Sequence, residues 1–175
     1  MAITANINQI IKRDKPMLRT VFLISFFLQF LLADNILIGK YDRVDFPQLE
    51  LKNIRAKIDS GAKTSSLHCG YIKRLDGNRV IFEVLDNSHK KYKKNRYIFP
   101  IKRIAKIRSS NGMEEERFVV LIKTVIFNKV YDVEYSLRNR RKMSFPILLG
   151  REFLRQGFLI DVNKQYLSHS QKFKK

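Results

Sequence analysis

The stretch Lys57-Ile58-Asp59-Ser60-Gly61-Ala62-Lys63-Thr64-Ser65-Ser66 decides how the rest of the chain is read. It follows "NIRA", so an apolar strand-like run ends in a carboxylate and then meets Ser and Gly. Two readings fit. In one, Asp59 is a turn residue. In the other, the strand delivers a carboxylate to a substrate, Gly61 supplies backbone angles closed to other residues, and the Ser60 hydroxyl bonds to a neighbouring loop.

The frame around this stretch is one domain's worth of chain, 175 residues with 45% hydrophobic side chains. That is long enough to bury a core and too apolar for wholesale disorder. Lys and Arg number 35 against 16 Asp and Glu, a net charge of +19. Such an excess permits attraction to anionic partners. It is dispersed among apolar residues, and no specific nucleic-acid binding is expected; the Lys-rich run at 89–96, "HKKYKKNR", reads as a solvated loop. Cys69 stands alone, which excludes an intrachain disulfide. His68, His89 and His169 are scattered, without HExxH or CxxC spacing, so neither a metal nor a cofactor is expected.

The N-terminus has a different character. Lys12, Arg13, Lys15 and Arg19 precede "TVFLISFFLQFLLA", residues 20–33. A basic start, a short apolar run and a polar junction after Ala33 predict a signal peptide or a retained membrane anchor over residues 1–34. The domain proper then spans 35–175, exported to the periplasm or tethered at the outer face of the inner membrane. Translation from Met17 gives a compact version of the same signal.

From Asn35 onward short apolar runs alternate with turns. "NILIG", "NIRAKID", "SSLHCGYIKRL", "NRVIFEVLD", "RYIFPIKRIAKI", "RFVVLIKTVIF", "KVYDVEYSL", "FPILLG" and "GFLIDV" have strand composition and partial period-two alternation. Asp76-Gly77-Asn78 and Asn111-Gly112 mark hairpin turns. One short helix is predicted over Arg151–Gly157, with Gly157 as its stop. The sum is an all-β, barrel-like domain.

Asp-Ser-Gly-Ala, followed much later by "PILLGRE", resembles the retropepsin-like aspartic proteases. "IGKYDRVDFPQL", "AKIDSGAKTSSLHC", "IRSSNGMEEER", "SLRNRRKMSFPILLGREFL" and "GFLIDVNKQYL" are more closely similar to a bacterial group within that fold, often labelled "ATP-dependent zinc protease". The chain departs from the common pattern at Ser60, where Thr is frequent, and at Cys69, where Ala is. It has no phosphate-cradling GxxxxGK[ST] loop. The resemblance implies a retropepsin-like closed barrel and an aspartic endopeptidase with Asp59 as catalytic carboxylate. Ser60 would lock the paired active-site loops and Gly61 would allow their turn. Arg108, Ser109, Ser110, Asn111 and Gly112 would lie where a substrate flap closes, or form an ordinary hairpin turn. Ile147, Leu148, Leu149 and Gly150 would be scaffold beneath the active loop, and Arg151 would pair structurally with an acid.

Peptide hydrolysis by carboxylates takes two of them, and this chain has one Asp-[Ser/Thr]-Gly. The expected partner is therefore a second copy in a homodimer, acting on a peptide or protein substrate. The competing reading is a non-catalytic basic module of the same fold that holds an anionic partner.

Overall fold

Residues Leu51–Ile58 show why this sequence makes sheet: Leu51, Ile54, Ala56 and Ile58 are buried while Lys52, Arg55 and Lys57 are exposed. An extended chain alternates its faces, so most of the apolar positions enter one core. The computed structural model describes residues 35–108 and 114–172. The apolar segment at 20–33 and the flap positions Ser109–Gly112 lie outside them. Among the described residues no helix is long and apolar enough to cross a membrane.

Eleven strands are described: β1 Ile36–Gly39, β2 Tyr41–Phe46, β3 Leu51–Ile58, β4 Ser65–Leu75, β5 Arg79–Val84, β6 Arg96–Pro100, β7 Arg103–Arg108, β8 Glu114–Ile126, β9 Lys129–Arg138, β10 Ile147–Leu149 and β11 Phe158–Asp161. Two short α-helices accompany them, α1 Arg151–Leu154 and α2 Leu167–Gln171. β1 and β11 form a small parallel sheet of their own. The other nine strands share one sheet, in which β10 bonds to both β3 and β4. The pairings thus form a circuit through β3, β2, β8, β9, β4 and back to β10, joined between β2 and β8 by the pair Asp45–Val125. The chain is all-β as expected; its sheet is this narrow-seamed circuit with β5, β6 and β7 attached outside it.

The core is one cluster that includes Phe46, Ile54, Leu67, Phe82, Ile122, Tyr135, Ile147 and Phe153. Tyr135 is fully buried, and its hydroxyl lies 3.1 Å from Thr124 Oγ1, which satisfies both polar groups.

Four local differences from the sequence reading have physical causes. "RYIFPIKRIAKI" is two strands, because the chain leaves β5 at Pro100 and Lys102 N–H bonds to Val119 O, so that β7 pairs with β8. Tyr41–Phe46, unassigned as a strand in the sequence, pairs with β3. The β8–β9 hairpin turns on Phe127 and Asn128, with φ of 51° and 57° and no glycine. Among the described residues there are two short α-helices where one was expected. The second, α2, begins without a side-chain cap of its own; the Asp42 carboxylate accepts Ser168 N–H at 2.9 Å and His169 N–H at 3.2 Å from 126 and 127 residues away. Burial pushes the Asp42 carboxyl up, against the lowering effect of these bonds. The turn at Asp76–Asn78 falls where the sequence puts it, with Gly77 at φ 69° and Asn78 at φ 56°.

Candidate functional site

β3 and β10 run parallel, with Ala56, Lys57 and Ile58 opposite Ile147, Leu148 and Leu149. This register carries Asp59 to the end of one strand and Gly150 to the end of the other. Asp59 N–H donates to Leu149 O at 2.9 Å, which continues the ladder one residue further. Asp59 Oδ1 then accepts Gly61 N–H at 3.1 Å, closing an Asx turn. The carboxylate is half-buried.

The structure corrects the reason for glycine at 61. Its φ is not in the left-handed region; instead a Cβ there would stand 3.2 Å from Asp59 Oδ1 and crowd the carboxylate. Gly150 answers a stricter demand. A Cβ at that position would lie 2.8 Å from Thr64 C, 2.9 Å from Ala62 O and 3.0 Å from Lys63 O. All three are backbone atoms, so nothing flexible can yield.

The loop after Asp59 is fastened on several sides. Arg151 N–H donates to Ala62 O and Glu152 N–H to Lys63 O, so the first turn of α1 serves the loop's carbonyls. Ser65 Oγ accepts Gly150 N–H at 3.0 Å. Arg151 Nη1 donates to Ser60 O and Gly61 O, both at 2.9 Å. Its partners are thus carbonyls of the loop after Asp59, where the sequence suggested an acid. Thr64 Oγ1 donates to Glu152 Oε2 at 3.0 Å and accepts from Arg103 Nη2 at 2.9 Å. Arg103 Nε in turn reaches Glu134 Oε2 at 2.7 Å. β7, β9, α1 and the Asp59 loop therefore meet in one ion network, which sequence reasoning missed because its bonded partners lie 31 to 88 residues apart along the chain.

An open cleft of about 1060 Å³ runs past Gly61–Thr64. Its lining includes the basic residues Lys63, Arg103, Lys106, Arg117, Arg138 and Arg140, against the acids Glu114 and Glu115. Arg117 pairs with Glu115 at 2.7 Å, and Arg138 lies 3.6 Å from the same carboxylate. Arg140 is buried, at 7% exposure, and its pKa is lowered to about 10. Burial is the main cause, reinforced by the charges of Arg138 and Arg117; the Asp59 carboxylate pulls the other way. Leu148 also lines this cleft, while Leu149 is buried in the core. Of the proposed flap only Arg108, the last residue of β7, is described. Among the described residues no group of three His, Cys, Asp or Glu side chains converges as metal ligands would.

The family model for the retropepsin-like aspartic endopeptidase RimB matches residues 37–171. The chain belongs to the RimB-like family. It is also 39% identical over 130 residues to a probable alpha-L-glutamate ligase of Desulfotalea psychrophila, covering 71% of this chain and 28% of that protein. A probable alpha-L-glutamate ligase of Shewanella pealeana is 34% identical over 141 residues, 77% of this chain and 30% of the relative. The chain thus spans under a third of the length of these curated relatives, and they bear the ligase name instead of the zinc-protease label of the initial resemblance. A Legionella pneumophila protein of unknown function has the same fold, with a TM-score of 0.65 at 23% identity over 77% of this chain and 99% of that one.

Proposed function

We propose that this RimB-like chain is an aspartic endopeptidase, active as a symmetric homodimer in which each copy contributes Asp59, and that its substrates are acidic peptides. The observation that carries the proposal is Asp59 itself. It directly follows β3, in the loop whose residues Gly61–Thr64 line the open cleft, with one oxygen held by Gly61 N–H and its loop fastened to α1. Family membership supports the peptidase class.

In the dimer, one carboxylate acts as base toward a water while the other, protonated, donates to the scissile carbonyl. Two like charges in close contact do not both ionise readily, so their pKa values separate and the two roles coexist; aspartic proteases are the established instance of this effect. Ser60 O and Gly61 O, both bound by Arg151, hold the loop that would meet its twin across the two-fold axis.

The acidic substrate follows from charge. Six basic side chains against two acidic ones line the cleft, and curated relatives containing a matching segment are named for glutamate chemistry. A basic module without catalysis is the second reading, and the same cleft favours it.

The test is a pH–rate profile on an acidic peptide for wild type and Asp59→Asn. Cleavage should peak between the two pKa values of the pair and vanish in the variant, while dimerisation survives. Undiminished cleavage by Asp59→Asn, or full activity in a demonstrably monomeric sample, refutes the peptidase mechanism. Acidic-peptide binding without cleavage in wild type selects the binding module.

A further inference from the structure

Among the arginines that line the cleft, Arg140 is set apart by what it lacks. Arg103 is neutralised by Glu134 and Glu152, and Arg117 and Arg138 share Glu115. Arg140 donates Nε–H to Phe145 O at 3.1 Å and has no carboxylate within ion-pair distance among the described residues. A guanidinium carries five donors in a rigid fork. Burying it without a paired counter-ion is costly; the charges of Arg138 and Arg117 add to the cost, and the Asp59 carboxylate offsets part of it from beyond ion-pair distance. The missing anion has a natural source in the cleft that Arg140 lines, beside the Asp59 loop.

What holds the guanidinium there is a second feature outside the Asp-Ser-Gly motif. Arg140 lies in the coil after β9, and its backbone N–H donates to His68 Nδ1 at 2.9 Å. His68 sits on β4, 4% exposed, with Nε2 3.2 Å from Asp86 Oδ2, a close electrostatic contact without the angle of a directed hydrogen bond. An Nδ1 that accepts leaves the proton of a neutral imidazole on Nε2, facing the carboxylate. Asp86 is itself fixed by Ser88 N–H at 2.9 Å. The chain of contacts therefore runs Asp86, His68, Arg140 backbone, cleft.

We propose that Arg140 takes the carboxylate of an acidic side chain of the substrate next to the scissile bond, and that His68 is the positioning residue that holds Arg140 in place. This deepens the peptidase reading of Asp59 and rests on it for the position beside the scissile bond. Recognition of the carboxylate by Arg140 stands without it.

The experiment uses the full chain and two peptides that differ by one Glu→Gln replacement. Steady-state KM and kcat are measured on both for wild type, Arg140→Met, Arg140→Lys, His68→Leu and His68→Asn, and the quantity read is the Glu-over-Gln ratio of kcat/KM. Asp59→Asn is used to measure binding of the same pair by fluorescence anisotropy. Wild type should favour the Glu peptide by roughly 10-fold or more, as a charge-assisted pair requires. Arg140→Met should bring the ratio close to one. Arg140→Lys, which keeps the charge but loses the fork, should fall between. His68→Leu should lower the ratio through KM, and His68→Asn should restore it, because its amide oxygen offers an acceptor near the place of Nδ1. A wild-type ratio of one, or an unchanged ratio in Arg140→Met, overturns the assignment of Arg140. Equal ratios in His68→Asn and His68→Leu overturn the role of His68. The lysine variant keeps the assignment testable if the methionine variant does not fold. Cleavage without Glu preference would sink this inference and leave the peptidase standing; Glu-selective binding without cleavage would do the reverse.

Discussion

Replacing Arg140 with methionine removes a buried charge while keeping most of the volume of its methylene stem. Its depressed pKa gives the size of the effect. A fall from 12.5 to about 10 corresponds to about 3 kcal/mol disfavouring the ion in the folded state. The cleft is open to solvent, and screening reduces this to about 2 kcal/mol. The sign is that of a base with a lowered folded-state pKa. The charge costs stability at every pH below about 10, and the cost is relieved as pH rises through that value. Against this gain stands the loss of the bond to Phe145 O, worth about 1 kcal/mol. The expected outcome for Arg140→Met is therefore a change between zero and about +1 kcal/mol in stability at pH 7, where truncating an ordinary buried side chain costs several. At roughly 3 °C per kcal/mol for a domain of this size, Tm should hold or rise by a few degrees. Thermal and urea melts at fixed protomer concentration measure it, since dimerisation makes Tm concentration-dependent. A loss of more than about 1 kcal/mol would refute the reasoning, because it would mean that Arg140 is a net structural asset and not a strained group awaiting a ligand.

Gly150→Ala should destabilise the domain by about 2 kcal/mol, since its Cβ would meet backbone at 2.8 Å; a urea midpoint unchanged from wild type would contradict the packing described. Glu83 is held below the usual carboxylate range by hydrogen bonds from Tyr92 and Arg96. Its depressed pKa adds stability above pH 4.5 that is lost as pH falls through the folded-state value, so the stability gap between wild type and Glu83→Gln, followed by urea melts, should shrink on acidification. For the basic-then-apolar segment ending at Ala33, fractionation with N-terminal sequencing should find a membrane-bound or shortened chain; an intact chain in the soluble cytoplasm would overturn export.

What the sequence determined is what depends on neighbours along the chain. Alternation in Leu51–Ile58 states a half-buried strand, Asp76-Gly77-Asn78 states a turn, and Asp59-Ser60-Gly61 with Leu148-Leu149-Gly150 states a carboxylate at a strand end over a scaffold strand, while the close packing of Gly150 is visible only in the fold. The tertiary structure decided what depends on distant partners. The cap of α2 is Asp42, the support of Thr64 is Arg103 with Glu152, and the acceptor for Arg140 N–H is His68, 72 residues earlier. No local pattern encodes these pairings, because a side chain's propensity reflects its own backbone while an ion pair or a cap requires only that two groups meet in space. The unpaired charge of Arg140 was invisible for the same reason. In a chain with 35 basic residues, only the fold shows which guanidinium has been buried in a cleft without a carboxylate at ion-pair distance among the described residues.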